Sequence, residues 1–333
     1  MELRPLSIGE LLDRTFSYYR NNFWLFAGIV AAPQVAMVAV SIFMQSLRLT
    51  GTPPPPSKDP TDIIARFPAM MAGFAITMVV LMLAAIIIYS LVQGAVAYAL
   101  SEVHLGRLTT VKAAFRNLKG KAWRLIDVVV SIGIRVMGIF ILMWLGLVLI
   151  VAVPAGLITG LGKPGPVFIT IVVILLILGM LAAIVLAPVL MMRYALAVPA
   201  LVLENLTARQ AIKRSVKLAK GNIWKIFLIF LLMYMITTVV ISVFQGPFIV
   251  ASIVIAARHG VPPLWLQIPS AISGGIGGTL SGPLIAIALT LLYFDARVRK
   301  EGFDLQLMMD SLGTQASALE PPSITAPGAT AEP

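Results

Sequence analysis

The stretch VFITIVVILLILGMLAAIVLAPVLMMRYALAVPALVL, residues 167–203, decides the fold class. No charge falls between 167 and 192, so a helix there has no polar face to turn toward water. About 30 Å of hydrocarbon needs about 20 such residues, and the whole run would reach about 55 Å as one helix. Pro188, Arg193 and Pro199 predict that it kinks or continues past the bilayer. Comparable apolar runs occupy 23–46, 69–100, 125–158, 224–256 and 266–294, and Pro247 and Pro283 predict kinks in the last two. Of 333 residues 59% are hydrophobic and 12% charged, whereas soluble chains run near half and about a quarter. The reading is an all-α integral membrane protein with six transmembrane helices.

The connections give the orientation. Residues 1–22, 103–124, 193–225 and the segment after the last run hold nineteen Lys and Arg; the alternate connections hold five, Arg48, Lys58, Arg66, Lys163 and Arg258. By the positive-inside rule both termini and the two long basic connections lie in the cytoplasm. The net charge of +11 then needs no nucleic acid partner, because topology and the anionic inner leaflet account for it. Residues 1–22 hold no continuous apolar segment, so the first span is expected to act as an uncleaved signal-anchor. The connection TGTPPPPSKDPTD at 50–62 reads as extended. Residues 314–333 read as a disordered tail, which leaves 1–313 as one membrane domain.

That domain repeats. LSIGELLDRTFSYYRNNFWLF at 6–26 aligns without a gap to LTARQAIKRSVKLAKGNIWKI at 206–226. A third copy, LTTVKAAFRNLKGKAWRL from Leu108, aligns after a three-residue deletion. Arg14, Arg116 and Arg214 fall in register, each followed by a tryptophan: Trp24, Trp123 and Trp224. Ser7-x-x-Glu10 and Thr207-x-x-Gln210 are capping-box patterns, whereas Lys112 takes the Glu/Gln place in the middle copy. Apolar positions recur at helical spacing opposite Arg209, Lys213, Lys217 and Lys220, predicting amphipathic interfacial helices. The expected fold is three two-span hairpins at about 6–105, 106–205 and 206–300, each preceded by a cytoplasmic amphipathic helix and related by rotation about the membrane normal.

The segments PLSIGELLDRTFSYYRNNF, ENLTARQAIKRSVKLAKGNIWKI and LLYFDARVRKEGFDLQLM resemble the bacterial glycerophosphoryl diester phosphodiesterase membrane-domain family over about 5–310. The resemblance implies the bacterial inner membrane and a lipid-related setting. It implies no hydrolase activity: the fused catalytic barrel of such proteins needs metal-binding carboxylates and histidines on a βα pattern, and no such region is expected here.

Candidate sites each have a structural alternative. Arg135, within the third run, is a functional candidate at membrane depth; the weightier reading is that it snorkels to the headgroups, with Asp127 two turns earlier on the same face. Gln93 is a further intramembrane polar candidate, and Gln34 and Gln245 read as scattered. Arg14, Arg116 and Arg214 are lipid-headgroup candidates through their planar forks. The alternative for them is ordinary interfacial stabilisation or pairing with Glu10, Glu102 or Glu204. Gly274, Gly278 and Gly282 in SGGIGGTLSGP form a small-residue face, read as helix packing in preference to a broken helix lining a substrate site.

The chain has no cysteine, and its two histidines, His104 and His259, lie in connections on opposite sides, so neither thiolate chemistry nor a shared histidine metal site is expected. No P-loop, nucleophile elbow or HExxH pattern occurs. The expectation is a non-catalytic, cofactor-free inner-membrane protein that engages membrane lipids, anionic ones above all, or partner membrane proteins at the cytoplasmic leaflet. The alternative is a transporter or permease for a lipid-related or small solute, which a continuous polar cavity containing Arg135 or Gln93 would favour. An intramembrane enzyme is a distant third.

Overall fold

The computed structural model describes residues 6–50, 60–161, 166–259 and 263–301. All regular elements among them are α-helices: α1 Ile8–Asn21, α2 Phe23–Thr50, α3 Pro60–His104, α4 Val111–Leu118, α5 Ala122–Leu161, α6 Pro166–Tyr194, α7 Ala197–Glu204, α8 Ala208–Ala219, α9 Ile223–His259 and α10 Leu264–Glu301. Among the described residues six stretches are long and apolar enough to cross a membrane: Phe23–Met44, Ile76–His104, Ala122–Gly146, Thr170–Glu204, Ile223–Ile255 and Leu264–Glu301. The chain is a multi-pass helical membrane protein. Most of the proline-rich connection and all of the 314–333 tail lie outside the described residues.

The three short helices that precede long ones start on side-chain caps. Ser7 accepts the Glu10 N–H at 3.2 Å and Glu10 returns the bond to the Ser7 N–H at 2.8 Å. Gln210 Oε1 accepts the Thr207 N–H at 3.0 Å. The middle helix, α4, is capped by Thr110, whose hydroxyl accepts the Ala113 N–H at 3.2 Å. Its cap is one-sided, because alanine at the third position has no polar group to reciprocate. Gly106 (φ 73°) and Gly221 (φ 85°) take the left-handed conformations that end α3 and turn α8 into α9. Trp24, Trp123 and Trp224 stand exposed in the first turns of α2, α5 and α9.

The fourth apolar run does not continue as one helix. It breaks at Ala195–Leu196 into α6 and α7, after Pro188 and three residues before Pro199. The break is held from outside: Ser215 of α8, fully buried, accepts the Leu196 N–H at 3.2 Å and donates to the Arg193 carbonyl at 2.8 Å. A backbone left unpaired away from water would cost about as much as a lost hydrogen bond, so α8 makes the break tolerable. Asn205, at φ 54°, closes α7.

Helix α10 is the centre of the molecule. It packs against α9, α2, α1, α3, α8 and α7. Of its most apolar stretch 67% is buried, against 0% for the span of α6. Helix α1 lies along α10 in the opposite direction: the Leu6 N–H donates to Asp295 at 2.7 Å, and the Tyr19 hydroxyl donates to the Leu280 carbonyl at 2.6 Å. That carbonyl is one residue beyond the one that Pro283, lacking an N–H, leaves without its helical donor.

One buried cluster draws residues from all ten described helices, and it sits at one end. It takes Phe26 and Ile29 of α2, Ala95–Leu100 of α3, Leu125 and Val128 of α5, Ile226–Met233 of α9 and Leu284–Ala296 of α10. This capped end carries α1, α4, α7 and α8. Toward the opposite, open end the long helices expose Phe43, Ile76, Ile141, Val173, Val250 and many other apolar side chains. The gradient follows from solvent. Hydrophobic burial packs helices where water reaches them, whereas in lipid association depends on close van der Waals fit and small residues.

Candidate functional site

At the capped end the arginine of α8 closes a charged knot. Arg214 Nε donates to both oxygens of Glu204 at 3.1 and 3.0 Å, and its terminal nitrogens donate to Glu301, one of them at 2.6 Å. Arg297 approaches Glu301 at 3.4 Å and Glu204 at 3.7 Å. The Tyr293 hydroxyl donates to Glu204. The Glu301 hydrogen bond, with Glu204 second among the partners, holds the Arg214 guanidinium charged well beyond its ordinary range. Beside this knot Asp295, 4% exposed, accepts from Lys225 at 2.6 Å, from Arg299 at 3.0 Å and from the Leu6 N–H. Lys225 and Arg299 each also donate to the Leu6 carbonyl at 2.7 Å. These contacts tie the segment before α1 to the ends of α9 and α10.

The three arginines in register do not share one environment. The fork of Arg214 faces protein carboxylates, and a fork so filled has no donor pair left for a phosphate. Arg14 is half-buried near Tyr18 and His104, and burial pushes the Tyr18 hydroxyl up from its usual range. The Tyr18 hydroxyl meets His104 Nδ1 at 2.7 Å, with Phe294 stacked on the imidazole at 5.4 Å. Arg116 stands exposed on α4. Around it the outer face of the capped end is basic: Arg107, Lys112, Lys119 and Arg124 near α4, and Arg209, Lys213, Lys217 and Lys220 on α8, are all exposed. Lys121 is partly buried and donates to the Val202 carbonyl at 3.3 Å; burial lowers its pKa.

The intramembrane candidates separate. Arg135 and Asp127 lie on the exposed face of α5. Ser131 links them, donating to Asp127 at 3.2 Å and accepting at its carbonyl from Arg135 at 3.5 Å. No other helix supplies a partner for Arg135 among the described residues, so it faces away from the bundle. Gln93 is 5% exposed beside Tyr89, near the packed core of α3. His104 and His259 end α3 and α9, whose ends are at opposite ends of the bundle.

The polar cluster forms where sequence reading saw only scattered residues. A cavity of about 450 Å³ opens between α2, α9 and α10 in the half of the bundle away from the caps. Its polar lining comprises Gln34 and Ser41 of α2, Gln245 and Ser252 of α9, and Gln267 and Ser270 of α10; among the described residues it holds no charged side chain. Neither Arg135 nor Gln93 belongs to it.

The glycines of α10 make room for this cavity. A Cβ on Gly274 would meet the Gln245 amide at 3.1–3.2 Å, and one on Gly278 would meet Gln34 Nε2 at 3.2 Å. On Gly282 it would meet Val30 at 3.2 Å. Gly274, Gly278 and Gly282 therefore act in two ways: the first two seat amides, and the third seats an apolar side chain below them. The closest backbone approach belongs to Gly277, whose Cβ would lie 3.0 Å from the Ile241 Cα. Helix α10 runs unbroken through this region despite Pro269 and Pro283.

Residues 166–293 match a protein family described as the membrane domain of glycerophosphoryl diester phosphodiesterase. The match bears out the resemblance over α6–α9 and most of α10, and it includes Arg214, Gln245 and the glycine face. No curated protein and no solved structure matches the chain.

Proposed function

Taking residues 166–293 as a membrane domain of that family, we propose that this chain is a non-catalytic module of the bacterial inner membrane that gathers anionic lipid at the cytoplasmic leaflet. The observation that carries this reading is the set of exposed basic side chains on α4 and α8, with the exposed Trp123 and Trp224 in the helices that follow them. Cations near an anionic surface contribute about 1 kcal/mol each, and tryptophan favours the headgroup level. The capped end is then cytoplasmic. Three units of short helix, tryptophan, span and returning span present their short helices to one leaflet. The lipid ligands are the outward lysines together with Arg116, while Arg214 holds Glu204 and Glu301 together and Arg14 packs beside His104. Partner proteins with acidic surfaces would meet the same face.

The test is native mass spectrometry of the purified full chain after exchange into mixed phosphatidylcholine and phosphatidylglycerol. Wild type retains phosphatidylglycerol preferentially. A Lys112→Gln/Arg116→Gln/Lys213→Gln/Lys217→Gln variant loses that preference, and raised salt weakens it in the wild type. Equal retention by both proteins would sink the proposal.

The permease alternative draws support from the polar cavity. Its floor is the Val30–Gly282 contact, backed by the buried Ile229, Met233 and Ile287. A solute path would require this floor to part.

A further inference from the structure

We infer that the cavity between α2, α9 and α10 is a binding site for an uncharged polyhydroxyl group, such as the sugar of a free saccharide or of a glycolipid headgroup. This goes beyond the lipid-gathering role, and it concerns the other half of the molecule.

Gln34 and Gln245 lie within spans, where an unpaired amide costs free energy. Yet among the described residues neither amide has a hydrogen-bond partner. Both rest against α10 glycines, about one turn apart, so they reach the same cavity from two different helices. The glycines clear the space that the amides occupy; a larger residue at Gly274 or Gly278 would push them out. Two unpaired amides converging on about 450 Å³ describe a site shaped for an occupant.

The lining selects its chemistry. Each carboxamide offers two donors and an acceptor, and each serine hydroxyl donates and accepts. A hydroxyl group does the same, so several hydroxyls on one ring match this set. An ion does not: with no charged side chain among the described residues of the lining, a phosphate or ammonium would enter without a counter-charge and lose its hydration. Met37, Val38 and Ile241 supply apolar wall for the C–H faces of such a ring. The floor at Val30 and Gly282 leaves entry from the open end or sideways from the bilayer, which suits a solute and a lipid headgroup respectively.

The experiment uses the full chain in phosphatidylcholine nanodiscs with two probes: radiolabelled glucose in solution, and monoglucosyl diacylglycerol in the bilayer, scored by native mass spectrometry after extraction. Phosphatidic acid, which carries the charge but no polyol, serves as the charged comparator. Wild type holds one of the two glucose probes, and which one identifies the source. A Gln34→Leu/Gln245→Leu variant, which removes two hydrogen-bonding groups at nearly constant volume, binds about tenfold or more weakly. Its ligand-free melting temperature equals or exceeds that of wild type, because unpaired amides no longer sit in lipid. Ala271→Phe, which fills the cavity and leaves both amides intact, also abolishes binding. The inference is overturned if neither probe binds, if the variants bind as well as wild type, if phosphatidic acid competes for the site, or if the double variant melts lower without ligand.

Discussion

The Ser215 hydroxyl joins two carbonyl-and-amide ends that a broken helix would otherwise strand. It is fully buried and bonds both Leu196 and Arg193. Ser215→Ala leaves both groups unpaired, and the expected loss is about 1–3 kcal/mol, read as a lowered melting temperature in detergent; an unchanged midpoint would mean that water replaces the hydroxyl. Arg214 is a second residue whose effect exceeds its size. Its side chain is 20% exposed and faces two carboxylates that are 19% and 22% exposed. Arg214→Ala leaves Glu204 and Glu301 side by side with Arg297 as the guanidinium that still approaches both. The cost is about 2 kcal/mol, below that of a fully buried pair because solvent still screens part of each group. Arg214→Lys recovers only part of it, since one ammonium cannot serve two carboxylates as a planar fork does. Full rescue by lysine would show that charge alone holds the knot.

Among the elements, α10 sets the geometry of the rest. Its glycines do different things at adjacent positions, and substitutions separate them. Gly277→Ala presses a methyl group against the Ile241 backbone, 3.0 Å away, and backbone cannot swing aside. The expected cost is about 1–3 kcal/mol as α9 and α10 are forced apart. Gly278→Ala meets only the Gln34 amide, the mobile end of a side chain, and is expected to be near neutral for stability. Thermal unfolding of the two variants side by side checks the contrast. Equal destabilisation would contradict the view that Gly277, and not Gly278, marks the close crossing of α9 and α10. The short helices differ as elements too. Helix α1 is bound along α10 through Leu6 and Tyr19, whereas α4 and α8 turn lysines outward. Register in sequence therefore does not guarantee an equivalent place.

At the scale of the whole molecule, packing is dense at the capped end and open at the other. If the capped end is cytoplasmic, accessibility must follow. The chain has no cysteine, so single replacements report cleanly. Ser57→Cys, in the first outer connection, is expected to react with a membrane-impermeant maleimide on intact cells. Lys217→Cys is expected to react only after the membrane is opened. Labelling of Lys217→Cys on intact cells would invert the topology and with it the proposed leaflet.

Local chemistry made much of this legible. A long uncharged apolar run has one stable environment, so six spans follow from composition along the chain. The caps at Ser7 and Thr207 involve side chains three residues from the helix start, and that spacing is visible in one dimension. The small-residue face of α10 was legible for the same reason. Only tertiary structure decided what those features touch. The break at Leu196 depends on a hydroxyl 19 residues away, and the partner Glu301 of Arg214 is 87 residues away. Gln34 lies ten residues after Trp24, and Gln245 lies 21 after Trp224. Counted along their own helices they belong at different depths. They meet in one cavity because α2 and α9 pack at different heights against the same helix, and relative height is set by side-chain fit between helices, which no single segment encodes.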